Sequence, residues 1–75
     1  MAVPKEDVVR IVRILLGKAQ VRESDRLLED LGAESADLAN LVAAVEEKYG
    51  VRLPEAEIAR IRTVADLHAL VDRLA

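Results

Sequence analysis

The stretch Glu29-Asp30-Leu31-Gly32-Ala33-Glu34-Ser35-Ala36-Asp37-Leu38 sets one serine among acids, immediately before the clearest helical pattern in the chain. A serine there offers an alcohol at the N-terminal tip of a helix, where unpaired backbone N–H groups and the helix dipole favour an anion. The plainer role for such a serine is N-cap, and the two roles are compatible. Elsewhere the chain is poor in reactive groups. It has one histidine, His68, no cysteine and no evident nucleophile–base pair, so an enzyme is not expected. His68 falls near the apolar side of a helical pattern, which fits a structural or solvent-edge role. Disulfides are excluded, and a metal site lacks ligands of mixed type.

Periodicity predicts the elements that must position Ser35. A first helix starts near Pro4, with Val8, Ile11, Val12, Leu15 and Ala19 inward, Val9 and Leu16 beside them, and Ile14 off the stripe. From about Ala19 to Glu34 no period persists, which predicts a long flexible loop pinned to the core by Leu27, Leu28 and Leu31. Leu38, Leu41, Val42, Val45 and Tyr49 then follow a helical series that Gly50 stops. Pro54 opens a brief third helix, with Ile58 and Ile61 inward. Thr63-Val64-Ala65-Asp66 resembles a capping box with Asp in place of Glu or Gln, starting a fourth helix on Val64, Leu67, Val71 and Leu74. The fold class expected is all-α: a small four-helix bundle, three longer helices and one short, in a single domain over residues 1–75.

Apolar residues make up 52% of the chain, enough for a core, and Tyr49 is the only aromatic, so that core must be aliphatic. The opening residues lack a secretory pattern and no apolar run approaches a membrane span, so a cytoplasmic protein is expected. Charge is unevenly placed. Residues 1–21 carry four cations and two acids, net +2, residues 22–50 three cations and eight acids, net −5, and the remainder balances. The acidic middle would repel nucleic acid and favour a basic partner.

The Asp30-Leu31-Gly32-Ala33-Glu34-Ser35 motif resembles the signature of acyl carrier proteins, the phosphopantetheine-binding carrier family. The similarity extends in order through the long loop, the acidic second helix, the Val51-Arg52-Leu53-Pro54 link and the Thr63-Val64-Ala65-Asp66 start. It implies that Ser35 receives 4′-phosphopantetheine from coenzyme A, and that the arm holds acyl groups as thioesters. A phosphodiester at such an exposed helix start gains roughly 0.3–1 kcal/mol from the dipole. It also implies a phosphopantetheinyl transferase and acyl-transferring or acyl-modifying enzymes as partners, whose basic patches meet an acidic face. Projection of the second helix puts Ala36, Asn40, Ala43 and Glu47 outward, flanked by Asp37 and Ala44; Glu34, Asp37, Glu46 and Glu47 would supply the charge. A monomer is expected, with no nucleic acid and no membrane span.

Three residues depart from the family pattern: Glu34 for Asp, Ala36 for Leu, and Asn40 where an acid is common. They point to a specialised carrier for a dedicated fatty-acid, lipid or polyketide-type pathway. Gly32-Ala33, rather than Gly-Gly, favours an acyl over a peptidyl cargo. Ala39, Ala43 and Ala44 could leave room for an acyl chain between helices. The rival reading is a cofactor-free helical protein-interaction domain that uses the same acidic face; a nucleic-acid-binding helical module lacks its basic recognition helix.

Overall fold

The computed structural model describes residues 2–75; Met1, which opens the stretch read above as lacking a secretory pattern, lies outside them. Among these residues the helices are α1 (Lys5–Leu15), α2 (Ser35–Tyr49), α3 (Glu55–Ile58) and α4 (Val64–Leu74). Strand-like pairing among the described residues is limited to one isolated antiparallel bridge between Arg26 and Thr63. The fold is all-α, with three longer helices, one short helix and a long connection from α1 to α2.

Pro4 stands in extended conformation one residue ahead of α1, and Glu6 and Asp7 occupy the first turn, where the dipole favours acids. The helix ends sooner than the apolar spacing predicts. Gly17, at φ +64°, turns the chain in the left-handed region, and the Lys18 N–H closes on the Arg13 carbonyl at 2.9 Å. Ala19 therefore lies beyond the helix and is exposed, and Leu15, on the last turn, is 45% exposed instead of inward. Val8 and Val12 carry the buried face of α1, which packs on both α2 and α4.

The core is aliphatic, and among the described residues no polar or charged residue is buried. Leu41, Val42 and Val45 come from α2, and Val64, Leu67, Leu70 and Val71 from α4. Leu70 takes the place expected for Leu74, which sits at the helix end and is 38% exposed. The start of α4 is the anticipated capping box. The Thr63 hydroxyl accepts from the Asp66 N–H at 3.1 Å, and the Asp66 carboxylate accepts from the N–H groups of Thr63 and Arg62 at 3.1 and 3.0 Å.

His68 has a structural partner. Its Nε2 lies 2.6 Å from the Val3 carbonyl, which can only accept, so Nε2 carries the proton. The Val3 N–H donates in turn to Asp72 at 2.7 Å, so α4 fastens both backbone polar groups of Val3 beside α1.

The segment between α1 and α2 is not the flexible loop expected from its lack of period. Leu27 N–H donates to the Arg62 carbonyl at 2.8 Å, Val64 N–H to Asp25 at 3.1 Å, and Ala65 N–H to Glu23 at 2.9 Å. These bonds stitch the loop to the junction before α4. Asp30 grips Arg26 three times, through its backbone N–H at 2.8 Å and its guanidinium at 3.0 and 3.2 Å. Val21, Leu27, Leu31 and Ala33 are the loop's buried anchors, whereas Leu28 is 54% exposed and pins nothing.

Candidate functional site

The stitched loop delivers the chain to the N-terminus of α2. Leu31 and Ala33 are both buried, and Gly32 between them has φ +67°, a conformation other residues adopt only with strain. A Cβ there would meet nothing within 4 Å, so the restriction lies in the backbone rather than in space. The Ala33 N–H returns to the Leu27 carbonyl at 2.9 Å and fixes the exit of the turn.

Ser35 is the first helical residue of α2 and does not cap it. The cap position belongs to Glu34, at φ −101° and ψ 174°, whose N–H donates to the Asp37 carboxylate at 2.9 Å. The chain enters the helix one residue earlier than a capping serine requires, and the reciprocal acid closes on Glu34. The Glu34 carbonyl already accepts from Leu38 at 2.9 Å. Ser35 is exposed, and its hydroxyl makes no hydrogen bond among the described residues. The result is an uncommitted alcohol at the positive end of a 15-residue helix, beside backbone N–H groups that have no intrahelical acceptor. Its accessibility comes from position, not from slack in the segment before it.

Ala36, Asn40, Ala43 and Glu47 are exposed along one side of α2, as projected, and so is Glu34. Asp37 and Glu46 are half-buried. The Glu46 carboxylate accepts the Leu53 N–H at 2.8 Å, holding the link to α3 against α2.

Ser35 also borders a groove of about 420 Å³ between α2 and α3. Leu38, Ala39, Val42 and Ala43 line one wall and Ile58 the other, with Glu46 and Glu55 at its polar margin. Two of the three alanines expected to leave room do so; Ala44 instead faces α1, beside Ile11 and Leu15. Sequence reasoning missed Glu55 and Ile58 here. The readable part of the signal was the spacing of positions 35, 38, 39, 42 and 46, which share one edge of a helix.

A family model described as "Phosphopantetheine attachment site" matches residues 6–71. The acyl carrier protein of Wolinella succinogenes is 36% identical over 64 residues, covering 83% of this chain and 84% of that protein. The crystal structure of an acyl carrier protein from Thermotoga maritima superposes with a TM-score of 0.77 at 32% identity, covering 92% of this chain and 82% of that one. The acetyl actinorhodin acyl carrier protein of Streptomyces coelicolor has the same fold, with a TM-score of 0.77 at 24% identity over 99% of this chain and 92% of that one. The chain therefore belongs to the phosphopantetheine-binding acyl carrier proteins. It carries acyl groups on phosphopantetheine and is a carrier, not a catalyst; a phosphopantetheinyl transferase and acyl-processing enzymes are its partners. No described helix is long and apolar enough to cross a membrane.

Proposed function

We propose that Ser35 is the residue that takes the phosphopantetheine arm, in a carrier serving a specialised pathway. The observation that carries this is the Ser35 hydroxyl itself: exposed, unbonded, and at the N-terminus of α2. A phosphodiester on that oxygen lies beside the free N–H groups of the first turn, where negative charge is stabilised. Once bound, the arm supplies a thiol on which acyl groups are held as thioesters. The chain's own residues do the rest. Gly32 and Ala33 set the approach to α2, and the Glu34–Asp37 contact holds the helix start.

The groove bordered by Ser35 gives an acyl cargo a place to lie, in the size range of small-ligand sites and mostly apolar. Loading a medium-length acyl chain should shift the methyl resonances of Leu38, Val42 and Ile58. Unchanged resonances would remove sequestration from the reading. Glu34, Ala36, Asp37, Asn40, Ala43, Glu46 and Glu47 form the docking face for basic patches on partner enzymes, and Ala36 and Asn40 tune it away from generic fatty-acid enzymes. In this reading the working protein is a monomer that acts in the cytoplasm.

Incubation with coenzyme A and a broad-specificity phosphopantetheinyl transferase, followed by intact-mass measurement, tests the assignment. One arm is expected on the wild type and none on Ser35→Ala. An arm that persists in Ser35→Ala would move the site to another residue.

A further inference from the structure

The groove beside Ser35 has apolar walls, and the charge at its margin is all of one sign. Leu38 and Val42 stand on its α2 wall and Ile58 on its α3 wall, and its two ionisable residues are Glu46 and Glu55. Among the described residues no lysine, arginine or histidine lines it. Glu46 is half-buried and fixed in place, with one carboxylate oxygen accepting the Leu53 N–H at 2.8 Å. A carboxylate offers about four acceptor sites, so Glu46 keeps most of its lone pairs for a donor in the groove. Glu55 follows Leu53 by two residues and adds a second, exposed carboxylate on the α3 side of the same end.

Glu46 lies eleven residues beyond Ser35 along α2, about 17 Å down the helix axis. That span is about the length of a phosphopantetheine arm, taken at the extended reach of about 3.5 Å per three bonds. The two carboxylates therefore stand level with the carbons next to a thioester, at the end from which an acyl tail enters between Leu38, Val42 and Ile58.

We propose, on the reading that Ser35 carries the arm, that Glu46 and Glu55 are specificity-determining residues for the cargo. The groove takes uncharged acyl chains, best those with a hydroxyl beside the thioester, and turns away chains that carry a carboxylate there. Like charges a few ångströms apart repel, and a half-buried site screens them less than bulk water does. A carboxylate on the cargo would also lose water with no cation to meet it. A hydroxyl instead donates to Glu46, in a hydrogen bond strengthened by the charge of the acceptor. A plain chain has neither effect and ranks between the two. Carboxylated cargo then stays in solvent, while hydroxylated cargo is sheltered until a partner draws it out.

The test loads the full chain with three eight-carbon groups from their coenzyme A thioesters: octanoyl, β-hydroxyoctanoyl and α-carboxyoctanoyl. Intact mass confirms each product. Two readouts follow, the methyl resonances of Leu38, Val42 and Ile58, and the rate at which hydroxylamine cleaves each thioester relative to the same thioester of coenzyme A. Hydroxylamine is neutral, so the carboxylates neither draw nor repel it, and the ratio removes the intrinsic reactivity of each cargo. Protection should be greatest for β-hydroxyoctanoyl, intermediate for octanoyl and at least about fivefold below octanoyl for α-carboxyoctanoyl. In the double variant Glu46→Gln, Glu55→Gln, protection of α-carboxyoctanoyl should rise to within about twofold of octanoyl. Glutamine at position 46 can still accept the Leu53 N–H, so the circular dichroism spectrum should match the wild type. Equal protection of all three groups, with the methyls shifted, would overturn this selectivity and leave the groove as the place of the cargo. An order unchanged in the double variant would also overturn it. Methyls unmoved by any cargo would remove sequestration and the selectivity together while leaving Ser35 as the loaded residue, and a chain that refuses the arm would strike the Ser35 assignment itself.

Discussion

Tyr49 brings the chain's one aromatic ring to the last turn of α2, half-buried, with its hydroxyl oxygen shielded from solvent and without a hydrogen-bond partner among the described residues. Burial, and secondarily the charge of Asp7, push the phenol above its ordinary pKa of 10.0. A buried hydroxyl without a partner costs about 1–3 kcal/mol, whereas the ring itself packs on the core. Tyr49→Phe keeps the ring and removes the cost. Urea denaturation should give a stability equal to the wild type or up to about 1 kcal/mol above it. A loss of that size would mean the oxygen is bonded in solution. Single positions were unevenly legible. Ser35 stood out because an acidic run and an apolar period meet there. That it opens α2 without capping it was hidden, since a one-residue shift of a helix start leaves the apolar period unchanged.

At the scale of elements, the signals that survived folding were those with a local mechanism. Gly50 ends α2 with its N–H on the Glu46 carbonyl, and Thr63 and Asp66 close the start of α4 as their spacing announced. Thr63→Ala should lower stability by about 1 kcal/mol in chemical denaturation, the usual worth of an N-cap hydroxyl. Asp66 adds a pH dependence. The N–H groups of Thr63 and Arg62 hold its carboxyl below the ordinary 3.8, so the folded form binds its proton less readily than the unfolded chain. Its contribution is complete above that ordinary value and is lost as pH falls through the lower folded one. Below about pH 4 the wild type should therefore lose stability more steeply than Asp66→Asn, followed by circular dichroism across an acid titration. Asp30 acts with the same sign, its carboxyl lowered chiefly by the Arg26 side chain. Where a contact is tertiary, the sequence was mute. Nothing in residues 19–34 announces that Leu27 will meet Arg62, or that Leu28 will face water while its neighbour is buried.

Across the whole molecule, the charge read from the sequence becomes a surface with two signs. The α2 side carries exposed Glu34 and Glu47 with half-buried Asp37 and Glu46 between them, while α1 exposes Lys5 and Arg10 and leads to Lys18. A uniformly anionic protein would feel a basic partner at any approach angle; under the proposed docking face, this one would be drawn chiefly with its α2 side forward. Steering of that kind acts before contact, so it should appear in the association step and not in the chemistry that follows. The Debye length is about 10 Å at 0.1 M salt and about 3 Å at 1 M, so added salt shortens the reach of those carboxylates to less than one helix diameter. With a transferase whose docking surface is basic, raising sodium chloride from about 0.05 to about 0.5 M should lower kcat/KM for loading several-fold, with kcat changed less than twofold. Glu47→Lys should reproduce much of that loss at low salt and flatten the remaining salt dependence, because the steering charge it removes is the one salt would have screened. A kcat/KM independent of salt in both proteins would mean that shape alone recruits the partner, and would leave the acidic side of α2 as an ordinary solvated helix face.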